Sequence, residues 1–157
     1  IVSVGAFEHF GKKFYKTFFK KVKNILNDDG ICLLHTIGSV DSPSPPQTWI
    51  QKRIFPGGIV PSLSDMVVPI EKTGLIISDC ETLIHHYDKT LKAWLGRFME
   101  NKDRAKYMHN KEFVRMWEFY LASCSAAFKF RDLVVYQLQL VKNFTALPSN
   151  RRDYIYQ

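Results

Sequence analysis

A chain of 157 residues that is 46% hydrophobic and 24% charged carries enough apolar mass for one folded domain with a sizeable core, which excludes a disordered chain. Its net charge of +7 favours polyanionic partners, nucleic acid or an anionic membrane face, without choosing between them. The cysteines Cys32, Cys80 and Cys124 lack CxxC spacing, which argues against a disulfide framework or a structural zinc site, and their apolar surroundings read as buried thiols in a reducing compartment.

The opening stretch, Ile1 to Phe10, reads as a short buried strand that stops at Gly5 and hands Glu8 and His9 to a loop. From Gly11 the pattern turns helical. Phe14, Phe18, Val22 and Ile25 recur at three to four residues, Phe19 and Leu26 widen the stripe, and lysines fill much of the rest. Asn27 to Gly30 is a stop signal. Ile31 to Ile37 follows as a continuous apolar strand, of the type buried on both faces of a parallel sheet, with His35 near its end. Strand, helix and strand make a βαβ unit with a right-handed crossover.

Ser39 to Thr48 is a proline- and serine-rich loop and a candidate lid. Trp49 to Phe55 is a short helix or an extended piece, closed by Pro56-Gly57-Gly58. Ser62 opens another helix as its N-cap, running towards Lys72 with Gly74 as its stop, and Pro69 should kink it or end it early. Leu75 to Leu83 is a third strand. A helical excursion of two or three helices follows, with one stripe from Tyr87 through Leu91, Trp94, Leu95 and Phe98. Another runs from Phe113 through Trp117, Tyr120, Leu121 and Cys124 to Phe128, and breaks fall at 101–103 and 109–110. Leu133 to Val141 is the last strand, and 144–157 reads as a loose tail.

No Gly-rich phosphate loop, nucleophile elbow or HExxH is present. No apolar run reaches membrane-spanning length and the opening does not read as a signal peptide, so any membrane contact is expected to be peripheral. What remains is Glu8, His35 and Tyr87, with His9, His85 and His86 nearby in sequence. Glu8 and His35 follow adjacent parallel strands, where an open α/β sheet places its chemistry. A carboxylate, an imidazole and a phenol can together hold a small anion or move a proton.

Five blocks in register give these residues a context: SVGAFEHFG (Ser3–Gly11), LLHTIG (Leu33–Gly38), WI…IFPGG…PS (Trp49–Ser62), YDKTLKAW (Tyr87–Trp94) and F…RDL (Phe128–Leu133). In order and spacing, up to about Lys142, the chain resembles the C-terminal part of the cyclopropane-fatty-acyl-phospholipid synthases, a family that includes the mycolic acid cyclopropane synthases. The resemblance implies an α/β fold, the C-terminal half of a class I S-adenosylmethionine-dependent methyltransferase (Rossmann-like) sheet. Its strands four to seven would lie in the order 4-5-7-6, and the helical insertion at about 85–129 would form a lipid-binding wall. It implies transfer of a one-carbon unit from S-adenosylmethionine to a cis double bond of a membrane phospholipid acyl chain, with closure of a cyclopropane ring. Bicarbonate is the implied base, held by the side chains of Glu8 and His35, by the backbone of Ile37 and by the Tyr87 hydroxyl. The basic charge is then directed to an anionic membrane surface, with no nucleic acid partner, at a cytoplasmic site peripheral to the inner face of the membrane.

The family's Gly-rich cofactor loop and its ribose-binding acidic residue have no counterpart in these residues. The expectation is therefore a partial methyltransferase domain over 1–143, without the cofactor-binding half, inactive alone, and with no cofactor-binding or metal-binding residues of its own. Its opening strand would have an unpaired edge that invites a homodimer. Two other readings compete: a non-catalytic basic module that binds membrane or nucleic acid, and a non-functional gene remnant.

Overall fold

The computed structural model of the chain describes residues 1–147 and 152–155. It divides into two compact units, Ile1–Thr82 with Tyr136–Gln157, and Leu83–Val135.

The first unit is built on a sheet of four strands: β1 (Val2–Val4), β2 (Ile31–Ser39), β3 (Ile76–Leu83) and β4 (Leu133–Val141), in the order β1-β2-β4-β3. This is the expected 4-5-7-6 order of a methyltransferase sheet. β1 and β2 are parallel, with Val2 opposite Leu33 and Val4 opposite His35. The expectation that β2 is buried on both faces is corrected. Cys32, Leu34 and Thr36 are buried, whereas Leu33, His35 and Ile37 are only half-buried, and Val2 and Val4 beside them are exposed. Period-2 alternation, masked in the sequence by apolar residues on both sides, governs the strand.

Between β1 and β2 the chain forms short 3-10 turns at Phe7–His9 and Lys12–Phe14, then α1 (Tyr15–Ile25). Gly5 makes the exit from β1 possible, since its φ of 63° is a left-handed conformation that side chains disfavour. α1 buries Tyr15, Phe19 and Val22, with Leu26 just beyond it. The expected stripe is thus rotated, because Phe14 and Ile25 lie on the exposed side. Phe7 selects the buried face. Its ring stacks on Tyr15 at 4.1 Å and meets Phe18 and Phe19 at 5.3 and 5.5 Å.

The loop expected over Ser39–Thr48 gives way to α2 (Thr48–Arg53), and α3 (Leu63–Thr73) packs on α1. Pro69 does not end α3 early, and the helix runs through it to Thr73. Both ends are fixed independently. Ser62 and Asp65 form a reciprocal capping box, Gly74 closes the C-terminus in the left-handed conformation, and Met66 and Ile70 are fully buried between them. Burial works to raise the Asp65 carboxyl, but hydrogen bonds from Lys12 and Ser62 outweigh it and hold that group below its usual range. The thiols are also corrected. Only Cys32 is buried, while Cys124 is half-buried and Cys80 is exposed on β3.

In the segment expected to be loose, 144–157, Ala146 is buried, Arg152 forms a two-pronged bond to Asp79, and Gln139 donates to the Tyr154 hydroxyl at 2.6 Å. Residues 148–151 and 156–157 of that segment lie outside the described residues.

The second unit holds the helical excursion, as α4 (His86–Glu100), α5 (Lys102–Met108) and α6 (Lys111–Phe130). α4 and α6 pack along their length, and Leu91, Tyr120, Leu121 and Phe128 are buried there. Asn110 caps α6 by accepting from the Phe113 N–H at 2.7 Å.

Candidate functional site

The ladder between β1 and β2 explains where Glu8 goes. Leu33 N–H donates to the Ile1 carbonyl at 2.9 Å, and Gly5 N–H donates to the His35 carbonyl at 3.1 Å. The next N–H of β2 in that series belongs to Ile37, but β1 has already turned away at Gly5. The Glu8 side chain takes over as acceptor, with Ile37 N–H donating to Oε1 at 2.6 Å. A backbone bond holds Glu8 from the other side, since Ile59 N–H donates to the Glu8 carbonyl at 2.8 Å. Glu8 thus continues the parallel ladder with a side chain, and its carboxylate is fixed at the carboxyl end of the strand.

Glu8 is 91% buried, because its residue exposure is 9%. Its second oxygen, Oε2, has no hydrogen-bond partner among the described residues. Such an acceptor is costly to leave unmade, by about 1–3 kcal/mol and more for a charged group. It is poised to receive a donor from a ligand. His35 lies on β2 two residues before Ile37, half-buried, opposite Val4. The structure therefore brings Glu8 and Ile37 into direct contact through Ile37's N–H, with His35 on the same strand. His9 is exposed, with its ring 5.7 Å from that of Phe55.

One residue nearby was not singled out by the sequence. Tyr15 is 2% exposed and its hydroxyl has no partner among the described residues. Burial pushes its phenol well above the ordinary range, and the Asp65 and Glu8 carboxylates add to the shift. Its position on the buried side of α1, beside the lysine-rich face, was the available signal.

Tyr87 belongs to the second unit. Its ring lies 5.0 Å from Phe128 and 5.9 Å from Trp94. Asp88, the next residue, is buried and accepts from the Ser125 hydroxyl and from the Lys92 ammonium at 2.6 Å, which ties the first turn of α4 to α6. The hydrogen bond from Lys92, the stronger influence, and the one from Ser125 hold the Asp88 carboxyl below its usual range. Burial pushes Tyr120 up to about 12, with Cys124 and Tyr87 adding to the shift. An aromatic row follows α6, with Phe113 stacked on Trp117 at 5.9 Å and Trp117 tilted on Tyr120 at 5.2 Å. Phe98, Met108, His109 and Phe113 help line a shallow cleft of about 280 Å³ in this unit. His85 and His86 are exposed at the start of α4. Among the described residues no helix is long and apolar enough to cross a membrane.

The strand order is that of part of an S-adenosylmethionine-dependent methyltransferase sheet, and solved structures agree. The chain superposes on mycolic acid cyclopropane synthase CmaA1, complexed with SAH and CTAB, with a TM-score of 0.81 at 31% identity, over 89% of this chain and 54% of that one. Coclaurine N-methyltransferase, at 21% identity and a TM-score of 0.71, shares the fold over 89% of this chain and 47% of its own.

The chain belongs to the mycolic acid cyclopropane synthetase family, whose model matches residues 1–138. It is 39% identical to the cyclopropane-fatty-acyl-phospholipid synthase of Escherichia coli (strain K12), over 88% of this chain and 36% of the relative. It is 34% identical to the cyclopropane mycolic acid synthase MmaA2 of Mycobacterium tuberculosis, over 90% of this chain and 54% of the relative. The chain thus spans about a third of the length of the first of these relatives and about half of the second.

Proposed function

We propose that this chain supplies the anion-holding and lipid-facing part of an S-adenosylmethionine-dependent enzyme that closes a cyclopropane ring on a cis double bond of a membrane phospholipid acyl chain. The observation that carries the proposal is the Glu8 carboxylate. It is buried, its Oε1 is committed to the Ile37 N–H, and its Oε2 is unpartnered among the described residues. A carboxylate accepts hydrogen bonds and cannot donate them, so a second anion can sit against it only through a proton of its own. Bicarbonate has such a proton on its hydroxyl, and the unpartnered Oε2 fits it. When bound, bicarbonate supplies a base for the proton lost on ring closure.

The roles of the chain's residues follow. Glu8 Oε2 accepts from the anion's hydroxyl and fixes its orientation. Ile37 holds Glu8 in place through its N–H. His35 is a ring N–H donor to the anion, and the family resemblance adds the Tyr87 hydroxyl as another donor. A fixed anion in a dry site stabilises positive charge developing on the lipid carbons. The aromatic row of α6 and the cleft beside it are suited to an acyl chain, and aromatic faces also stabilise cationic carbon.

No residue here matches the family's Gly-rich cofactor loop. The residues present do not fit the methyl donor. We place the assembled enzyme at the inner face of the membrane, peripheral to it, with the 1–143 segment as part of the methyltransferase domain.

The test is an exchange. The segment of the E. coli synthase that matches this chain is replaced by residues 1–138, and the hybrid is expressed in cells lacking their own synthase. Lipid acyl chains are then analysed by mass spectrometry and proton NMR. The expected product has gained one CH2 and lost its double bond, with cyclopropane protons in the spectrum. A folded hybrid that yields only unmodified lipid would contradict the proposal. A methyl branch in place of the ring would retain lipid methylation and overturn ring closure.

A further inference from the structure

We propose that the outer face of α1 is a docking surface for an anionic lipid bilayer. The inference rests on the lipid-substrate reading above for its choice of partner, and on the structure of α1 for everything else.

The lysines of this region divide into two groups. Lys12 pairs with Asp65 at 2.8 Å, and Lys23 donates to the Thr73 carbonyl at 2.8 Å, so both are part of the packing of α1 on α3. Lys16, Lys20 and Lys21 are exposed and hold no ion pair among the described residues. Lys13 is exposed too, with its ammonium 4.9 Å from the centroid of the Phe14 ring.

Apolar side chains lie along one edge of this exposed face. Phe14 is 50% exposed and Ile25 is 55% exposed. Their helical spacing puts Phe14, Lys21 and Ile25 in one line along the helix, because steps of seven and four residues return to the same side. Phe10, also exposed, sits 5.2 Å from Phe18 beside this line. Two of the apolar residues that give α1 its helical pattern, Phe14 and Ile25, therefore face outward, although the buried side is already complete with Tyr15, Phe19, Val22 and Leu26.

The combination selects the partner. A solvated helix face needs no exposed phenylalanine or isoleucine, and a surface built for phosphodiesters alone gains nothing from Ile25. A helix lying in a bilayer interface uses both features. Its lysines meet the anionic headgroups, and its apolar line enters the boundary between headgroup and acyl chain. Lysine stems also reach along apolar surface while keeping their charge in water; Lys21 lies in the inserted line, and Lys20 and Lys16 follow round the exposed face to one side of it.

Vesicle flotation of the 157-residue chain tests this directly, with phosphatidylcholine vesicles compared against the same vesicles containing phosphatidylglycerol. Flotation with the anionic vesicles is expected, weakening as salt rises. The triple variant Lys16→Glu, Lys20→Glu, Lys21→Glu should lower partitioning by roughly 100-fold. Phe14→Ser with Ile25→Ser should lower it by about 10-fold with the charge intact. All these side chains point outward, so circular dichroism should match that of the parent chain. As a second probe, tryptophan emission of Phe14→Trp should shift to the blue on anionic vesicles only. Absence of flotation by the parent chain would overturn the inference, as would flotation unaffected by either variant. Binding to duplex DNA that survives loss of Phe14 and Ile25, with no flotation, would overturn it in favour of a nucleic acid. The flotation readout is independent of ring formation, so the docking surface and the Glu8 site fail separately.

Discussion

Glu8→Gln in the exchanged enzyme is expected to lower ring formation by about 100-fold or more, with the thermal midpoint of the protein unchanged or raised. The substitution keeps the shape of the side chain and an oxygen that can still accept from the Ile37 N–H. It removes the negative charge and, with it, the strong acceptor at the position of Oε2. That oxygen is buried without a partner among the described residues, which costs stability in the absence of a ligand. A residue retained at such a cost has its use in binding or chemistry. Product analysis and a thermal melt on the same preparation separate the two effects. Full ring formation by Glu8→Gln would remove Glu8 from the site. A loss of activity that tracks a fall in the melting midpoint would make Glu8 structural.

The largest effect on stability is expected at Phe7. Its side chain is fully buried and touches the rings of Phe10, Tyr15, Phe18 and Phe19. Phe7→Ala deletes the centre of that cluster and leaves a cavity where α1 meets the turn after β1. Such a truncation costs about 3–5 kcal/mol. Phe144→Ala is the control, since that ring is exposed and should stay within about 0.5 kcal/mol of the parent chain. Urea unfolding followed by far-ultraviolet circular dichroism measures both. Phe7 and Glu8 share one short turn, so Phe7→Ala should also reduce ring formation in the exchanged enzyme. Equal midpoints for Phe7→Ala and Phe144→Ala would contradict the role given to the cluster.

The sheet was largely legible in the sequence because strands and stops carry local signals. Apolar runs bounded by Gly5, Asn27–Gly30 and Gly74 marked three strands and two helices, and the family resemblance supplied their order. Three features were misread for reasons that are not local. The apolar stripe of α1 is wider than the strip that is buried, so periodicity could not decide which of its edges, Phe14 or Phe19, faces inward. That choice was made by Phe7, from the preceding turn. Pro69 remained inside α3 because a capping box and a left-handed glycine fix the ends of the helix. Cys80 sits in an apolar run but on the exposed side of β3.

The same division holds for the candidate site. Residue types and their place after adjacent strands marked Glu8 and His35, and the family resemblance added Ile37. The bond that joins Glu8 to Ile37 spans 29 residues and arises because β1 ends before β2 does. No pattern in either strand announces it. Tyr15 escaped notice because an aromatic on the buried side of a helix is ordinarily packing, and only its unpartnered hydroxyl distinguishes it.

The central claim is that Glu8 and its neighbours hold bicarbonate for ring closure, and the bicarbonate dependence of the exchanged enzyme tests it most directly. Ring formation is measured in buffer stripped of carbon dioxide and again after bicarbonate is restored. The rate should fall on depletion and recover on addition, and the residual rate of Glu8→Gln should respond to neither. A parent hybrid that forms cyclopropane at the same rate in depleted and restored buffer would contradict the claim.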